Sequence, residues 1–144
     1  MAAHLFAAID VGSFELEMGI YETTSRNGLR EIDHLRHVIS LGRDTYHTGK
    51  ISYHLVDEMC QVLEEFAQVM KSYQVEDYRA YATSAMREAK NSQIILEQIR
   101  VRTGIQVQVI SNSEQRFLGY KAIAMKEAEF QKIIQKGTAI ADVS

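Results

Sequence analysis

Between Ser13 and Tyr21 the chain alternates without a break: Phe14, Leu16, Met18 and Ile20 are apolar, and Ser13, Glu15, Glu17, Gly19 and Tyr21 separate them. A period of two sends the two sets to opposite sides of an extended backbone, so this stretch is a strand with one wet face. Strand-like runs flank it on both sides. Leu5 to Ile9 is apolar and ends in Asp10, with Gly12-Ser13 as a tight turn. Arg26-Asn27-Gly28 is a hairpin signal, and Leu29 to Ser40, with Ile32, Val38 and Ile39, reads as a third strand. A chain that begins with three strands joined by hairpins must cover that sheet with its later segments.

After residue 40 the period changes. Leu41 to Ser52 reads as a polar connector carrying Gly42 and Gly49, and Ser52 is placed to cap a helix. Leu55, Met59, Val62, Phe66, Met70 and Tyr73 recur at helical spacing and predict a helix over roughly 53–73. Tyr78 to Thr83 predicts a fourth strand. Ser92 to Thr103 predicts a helix stopped by Gly104, and Ile105 to Ile110 a fifth strand. Ser111-Asn112-Ser113-Glu114 has capping-box spacing and opens a third long helix to about Lys132. Gly137 then breaks the chain, and Thr138 to Val143 starts another strand. The order βββαβαβα plus a terminal strand predicts an α/β domain: a mixed five-stranded sheet with helices on both faces. That order resembles the ribonuclease H-like half of the actin-like ATPase superfamily. The absence of proline suits a chain that is mostly regular helix and strand.

A length of 144 residues fits one domain, expected over 1–136, with 137–144 as the first strand of a second, truncated domain. The net charge of −3 argues against wholesale nucleic-acid binding but leaves room for a local basic pocket. A single cysteine, Cys60, makes no intrachain disulfide and suits a reducing compartment. No apolar run approaches the roughly 18 residues that a membrane span needs. A cytoplasmic protein without a membrane partner is expected.

Four segments carry chemistry. Asp10-Val11-Gly12-Ser13 sits at a strand-to-strand turn, where glycine lets backbone N–H groups close on an anion and Ser13 adds a hydroxyl. Asp10 could hold a metal ion or a water; an ordinary turn is the competing reading. Thr83-Ser84-Ala85-Met86-Arg87-Glu88-Ala89 follows the fourth strand, where ligands of open α/β sheets bind, and Arg87 could fork onto phosphate or pair with a nearby acid. Ser111 to Gln115 follows the fifth strand. Glu114 could serve as a base on water, and it equally satisfies the capping-box position. Ala139-Ile140-Ala141-Asp142-Val143-Ser144 echoes the first motif. His34 and His37 fall on opposite faces of one strand, which makes them poor joint metal ligands. His4, His47 and His54 have no evident partners, Cys60 reads as core, and Arg100 and Arg102 read as surface charge.

Taken together these segments resemble the exopolyphosphatase/guanosine-pentaphosphate phosphatase family across nearly the whole chain. Leu41-Gly42 followed by Thr48-Gly49-Lys50-Ile51-Ser52 looks like that family's connector, and the Thr83 to Ala89 run followed by Asn91 is the most specific piece. The resemblance implies a two-domain phosphohydrolase. It would take terminal phosphate from polyphosphate or guanosine pentaphosphate, with Mg²⁺, in a cleft closed by its own missing C-terminal domain. It further implies phosphate binding by Asp10, Gly12, Ser13, Arg87 and Asp142, metal binding by Asp10 and Asp142, and catalysis at Glu114 and Gln115. A homodimer of the full-length protein stays open.

Three departures stand against the family pattern. Phe14, Glu15 and Glu17 lie where the family carries asparagine, serine and a basic residue, and two carboxylates beside a phosphate need a metal or an arginine to offset them. The family's catalytic glutamate falls on Gln115, which orients water but takes no proton. Ser144 replaces the first glycine of the second domain's motif. Two functions therefore stay open, a phosphoanhydride hydrolase or a catalytically degenerate polyphosphate- or nucleotide-binding sensor. The isolated chain is expected to be inactive in either case.

Overall fold

A computed structural model describes residues 4–24 and 28–111. The elements run β1 (His4–Val11), β2 (Glu15–Thr24), β3 (Gly28–Val38), α1 (Leu41–Thr48), α2 (Tyr53–Tyr73), β4 (Asp77–Ala82), α3 (Ser84–Glu88), α4 (Ser92–Thr103) and β5 (Gln108–Val109). They build the mixed sheet expected, in the order β3-β2-β1-β4-β5. β1 pairs antiparallel with β2, as β2 does with β3, whereas β4 is parallel to both β1 and β5.

The alternation of β2 decides which side of the sheet is dry. Leu16, Met18 and Ile20 are fully buried, and cross-strand register sets them opposite Val11, Ile9 and Ala7 of β1. Ala80 and Ala82 of β4 lie level with Ile9 and Val11 and complete the row. Helix α2 covers this face with Val56, Met59, Leu63, Phe66 and Met70, and α4 adds Ile95 and Ile99. Each such side chain contributes about 1.5–3 kcal/mol by leaving water. Cys60 is part of this core, and burial pushes its thiol pKa up, away from a reactive thiolate. The opposite face carries Ala8, Asp10, Glu15, Glu17, Tyr21, His34 and Arg36.

Helices α2 and α4 keep their predicted bounds, and Gly104 ends α4 in the left-handed region at φ 77°. The stretch 41–52 is not a plain connector. It contains α1, closed by Gly49 at φ 81°, whose N–H donates to the Thr45 carbonyl. A second short helix, α3, was not anticipated after β4. Ser52 precedes α2 without capping it through its side chain. Its hydroxyl bonds His54 Nδ1 at 3.2 Å, and its carbonyl receives the N–H groups of Leu55 and Val56. The fifth strand is shorter than expected because just Gln108 and Val109 pair with β4. The third long helix, Glu114, Gln115, Asp142 and the whole of 137–144 lie outside the described residues.

The histidines fall as the strand period requires. His34 faces Glu17 and Glu31 on the wet side, while His37 reaches Glu58 of α2 on the dry side at 2.7 Å. His4 does have a partner, since its Nδ1 lies 2.9 Å from Glu76. Arg102 is more than loose surface charge, bonding Asp57 of α2 at 2.9 Å and so tying α4 to α2. Among the described residues no helix is long and apolar enough to cross a membrane.

Candidate functional site

Because β1, β4 and β5 are parallel, their carboxyl ends share one edge. Val11, Ala82 and Val109 stand in register across it. The ladder continues one step further, with Thr83 N–H donating to the Val11 carbonyl (3.4 Å) and Ile110 N–H to the Ala82 carbonyl (3.0 Å). Three loops therefore leave side by side, at Gly12-Ser13-Phe14, at Thr83-Ser84 and at Ile110-Ser111. Beyond such carboxyl ends is where open α/β sheets place their ligands.

The first loop is tied down through its main chain. Gly12 N–H donates to the Glu15 carbonyl (2.9 Å) and closes the hairpin, so this amide is not available to an anion. The carbonyl of Ser13 receives Gly42 N–H from α1 (2.8 Å), and that of Phe14 receives Ile39 N–H (3.0 Å). Among the described residues the amides of Ser13 and Phe14 engage no protein acceptor, which leaves two donors at the bend. A side chain at residue 12 would bring its Cβ to 3.0 Å from the Glu15 carbonyl oxygen, so glycine is required there by the tightness of the hairpin. The bend is partly exposed, and Phe14 beside it is exposed.

Arg87 reaches the same edge. Its Nη1 donates to the Ile110 carbonyl at 2.7 Å, which places the guanidinium against the start of the third loop. The segment carrying it is fastened from two sides. Thr45 of α1, buried, donates its hydroxyl to the Ala85 carbonyl at 3.0 Å. Asn91 donates to the Ile51 carbonyl (3.0 Å) and accepts from Ile51 N–H (3.2 Å).

The Ser13 hydroxyl meets two partners that sequence reasoning missed. Ser84 Oγ is 3.1 Å away and the Tyr46 hydroxyl 3.3 Å, while Tyr46 and Ser84 are 2.7 Å apart. Tyr46 was hidden because the buried side of α1 is made by Leu41, Gly42 and Thr45, one apolar residue where a helical period needs several.

Asp10 projects from the wet face, opposite Glu17. Water reaches this carboxylate, yet it stands over the middle of the sheet. Partial loss of hydration, then Glu17, then Glu15, raise its pKa above the ordinary carboxylate value. The two glutamates themselves are held from β3, Glu15 by Arg36 Nε and Glu17 by His34 Nε2 at 3.2 Å. An arginine therefore does offset one of the two carboxylates that depart from the family pattern. Two concavities among the described residues, of about 480 and 510 Å³, open near Met70–Tyr78 and along β4–β5, and neither includes Ser13, Ser84 or Arg87.

The sequence profile of the Ppx/GppA phosphatase family matches residues 20–135. The chain belongs to the Ppx/GppA phosphatase family. The match takes in Arg87, Glu114 and Gln115 but begins after the Asp10–Ser13 turn. This Ppx/GppA chain is 26% identical over 115 residues to exopolyphosphatase 1 of Mycobacterium tuberculosis, covering 80% of this chain and 33% of that protein. The counterpart from Mycobacterium leprae is 27% identical over the same length. The Aquifex aeolicus Ppx/GppA family member superimposes with a TM-score of 0.81 at 30% identity, over 85% of this chain and 40% of that one. An exopolyphosphatase from Cytophaga hutchinsonii shares the fold with a TM-score of 0.72 at 22% identity. The chain spans about a third of the length of the curated exopolyphosphatases it matches. These likenesses establish the family and its actin-like, ribonuclease H-like fold.

Proposed function

We propose that this domain grips the terminal phosphoryl group of polyphosphate or guanosine pentaphosphate, and that the full-length protein hydrolyses it in a cleft between two domains. The observation that carries this reading is the carboxyl edge. Two backbone amides at Ser13 and Phe14, the Ser13 hydroxyl and the Arg87 guanidinium leave the ends of neighbouring strands in a family of phosphatases. Amides from successive residues cradle phosphate oxygens, and a guanidinium adds charge-assisted bonds.

The residues fit Mg²⁺ in chemistry, since Asp10 offers the hard carboxylate oxygens that magnesium takes. By the family resemblance Asp10 and Asp142 would hold the ion; among the described residues no three such side chains converge. When bound, the metal neutralises charge on the phosphoryl group and so favours the ionised form of Asp10. By the family resemblance Glu114 would serve as base on an attacking water and Gln115 would orient it.

A sensor without catalysis is the second reading. It is favoured by the raised pKa of Asp10 between two glutamates and by Gln115 where the family's glutamate belongs. Phosphate release from polyphosphate with Mg²⁺ by the full-length protein, set beside tripolyphosphate binding by titration calorimetry, separates them. The hydrolase predicts both, with Arg87→Ala weakening binding about tenfold through loss of a charged hydrogen bond. Binding without release supports the sensor. Absence of binding, or an Arg87→Ala variant that binds unchanged, overturns both readings.

A further inference from the structure

We infer that Tyr46 is a positioning residue of the anion site, its phenol hydroxyl arming the Ser13 hydroxyl through Ser84. This rests on the phosphate-binding reading above and assigns a role to a residue outside every motif that led to it.

The three oxygens form a closed triangle of 2.7 Å (Tyr46–Ser84), 3.1 Å (Ser13–Ser84) and 3.3 Å (Ser13–Tyr46). They come from the β1–β2 turn, from α1 and from the start of α3. Burial does not explain the tyrosine, which is 55% exposed. Its ring rests instead on Gly42, where an added Cβ would stand 3.0 Å from Tyr46 Cε2 and 3.0 Å from Ser13 Cβ. The glycine thus lets α1 approach the turn closely enough for the phenol to reach both serines.

Three hydroxyls carry three protons, so the closed ring satisfies itself without a ligand. A phosphoryl oxygen is a stronger acceptor than a neutral hydroxyl and draws one proton outward. The shortest contact belongs to the most acidic group. Tyr46 O–H donates to Ser84, Ser84 O–H donates to Ser13, and Ser13 O–H is released to the anion. Each accepted bond polarises the next donor, so a bound phosphoryl oxygen feels the tyrosine through two serines.

Titration calorimetry of the chain with inorganic tripolyphosphate tests this. Tyr46→Phe keeps the ring and removes the hydroxyl, and it is expected to weaken binding about fivefold, as is Ser84→Ala. The double variant is expected to bind no more weakly than the poorer single one, because the groups act in series. Thermal midpoints are expected to stay within about 2 °C of the parent, since Tyr46 is outside the core. An unchanged affinity in Tyr46→Phe, losses that multiply in the double variant, or a fall in affinity matched by a fall in midpoint would each overturn the relay and leave the phosphate reading standing. If the parent chain does not bind tripolyphosphate, the phosphate reading fails and the relay fails with it.

Discussion

Asp10 faces Glu17 directly across the β1–β2 ladder, with Glu15 further along the same side. Partial dehydration and these two neighbours raise its pKa. The folded chain therefore holds this proton more tightly than the unfolded one. The associated stability is complete below the ordinary carboxylate value and is lost as pH rises through the raised one. Asparagine imitates the protonated form at every pH. Asp10→Asn is expected to raise the thermal midpoint at pH 7 by about 2 °C, a modest gain because water screens the group, and by less at pH 4. Calorimetric scans at the two pH values decide this. A lower midpoint for the variant at pH 7 would mean that the carboxylate is stabilised as an anion. The sequence marks Glu15 and Glu17 as obstacles to a polyanion. It does not reveal that Arg36 and His34 hold them, because that pairing depends on the register of β3 against β2.

Helix α1 is the element on which the edge depends, and it was the least legible. β2 and α2 could be read because several apolar residues repeat at one period. In α1 the inward side is Leu41, Gly42 and Thr45, and its fit comes from close approach and a buried hydroxyl, neither of which leaves a periodic trace. Helix α3 has five residues and is too short to show a period. The Ser13–Tyr46–Ser84 cluster was illegible for another reason, since it joins segments that meet through tertiary folding alone. The turn itself, and Arg87 beyond β4, were legible because strand ends are marked by glycine, serine and a change of period. Gly42→Val tests the role given to α1. Overpacking against Ser13 and Tyr46 is expected to cost about 1–3 kcal/mol in chemical denaturation and to weaken tripolyphosphate binding alongside. Full stability with normal binding would show that α1 has room to move.

At the scale of the molecule, this chain spans about a third of the length of the curated exopolyphosphatases it matches, so the proposed interdomain cleft needs more than this chain. The chain alone is expected to bind tripolyphosphate and to release phosphate from polyphosphate no faster than the background without protein. Turnover by residues 1–144 at about 1 per second or more, an ordinary enzyme rate, would show that one domain suffices. The way α1 is mounted bears on how such a site could change. At its start the helix is bonded to the Ser13 carbonyl, and at its middle to the Ala85 carbonyl, so two edge loops hang from one short rod. Tilting that rod carries both loops together. Arg87 Nη1 on the Ile110 carbonyl, at 2.7 Å, then links the second of these loops to the third. If the edge holds phosphate as proposed, a shift of α1 would be felt by all three loops at once.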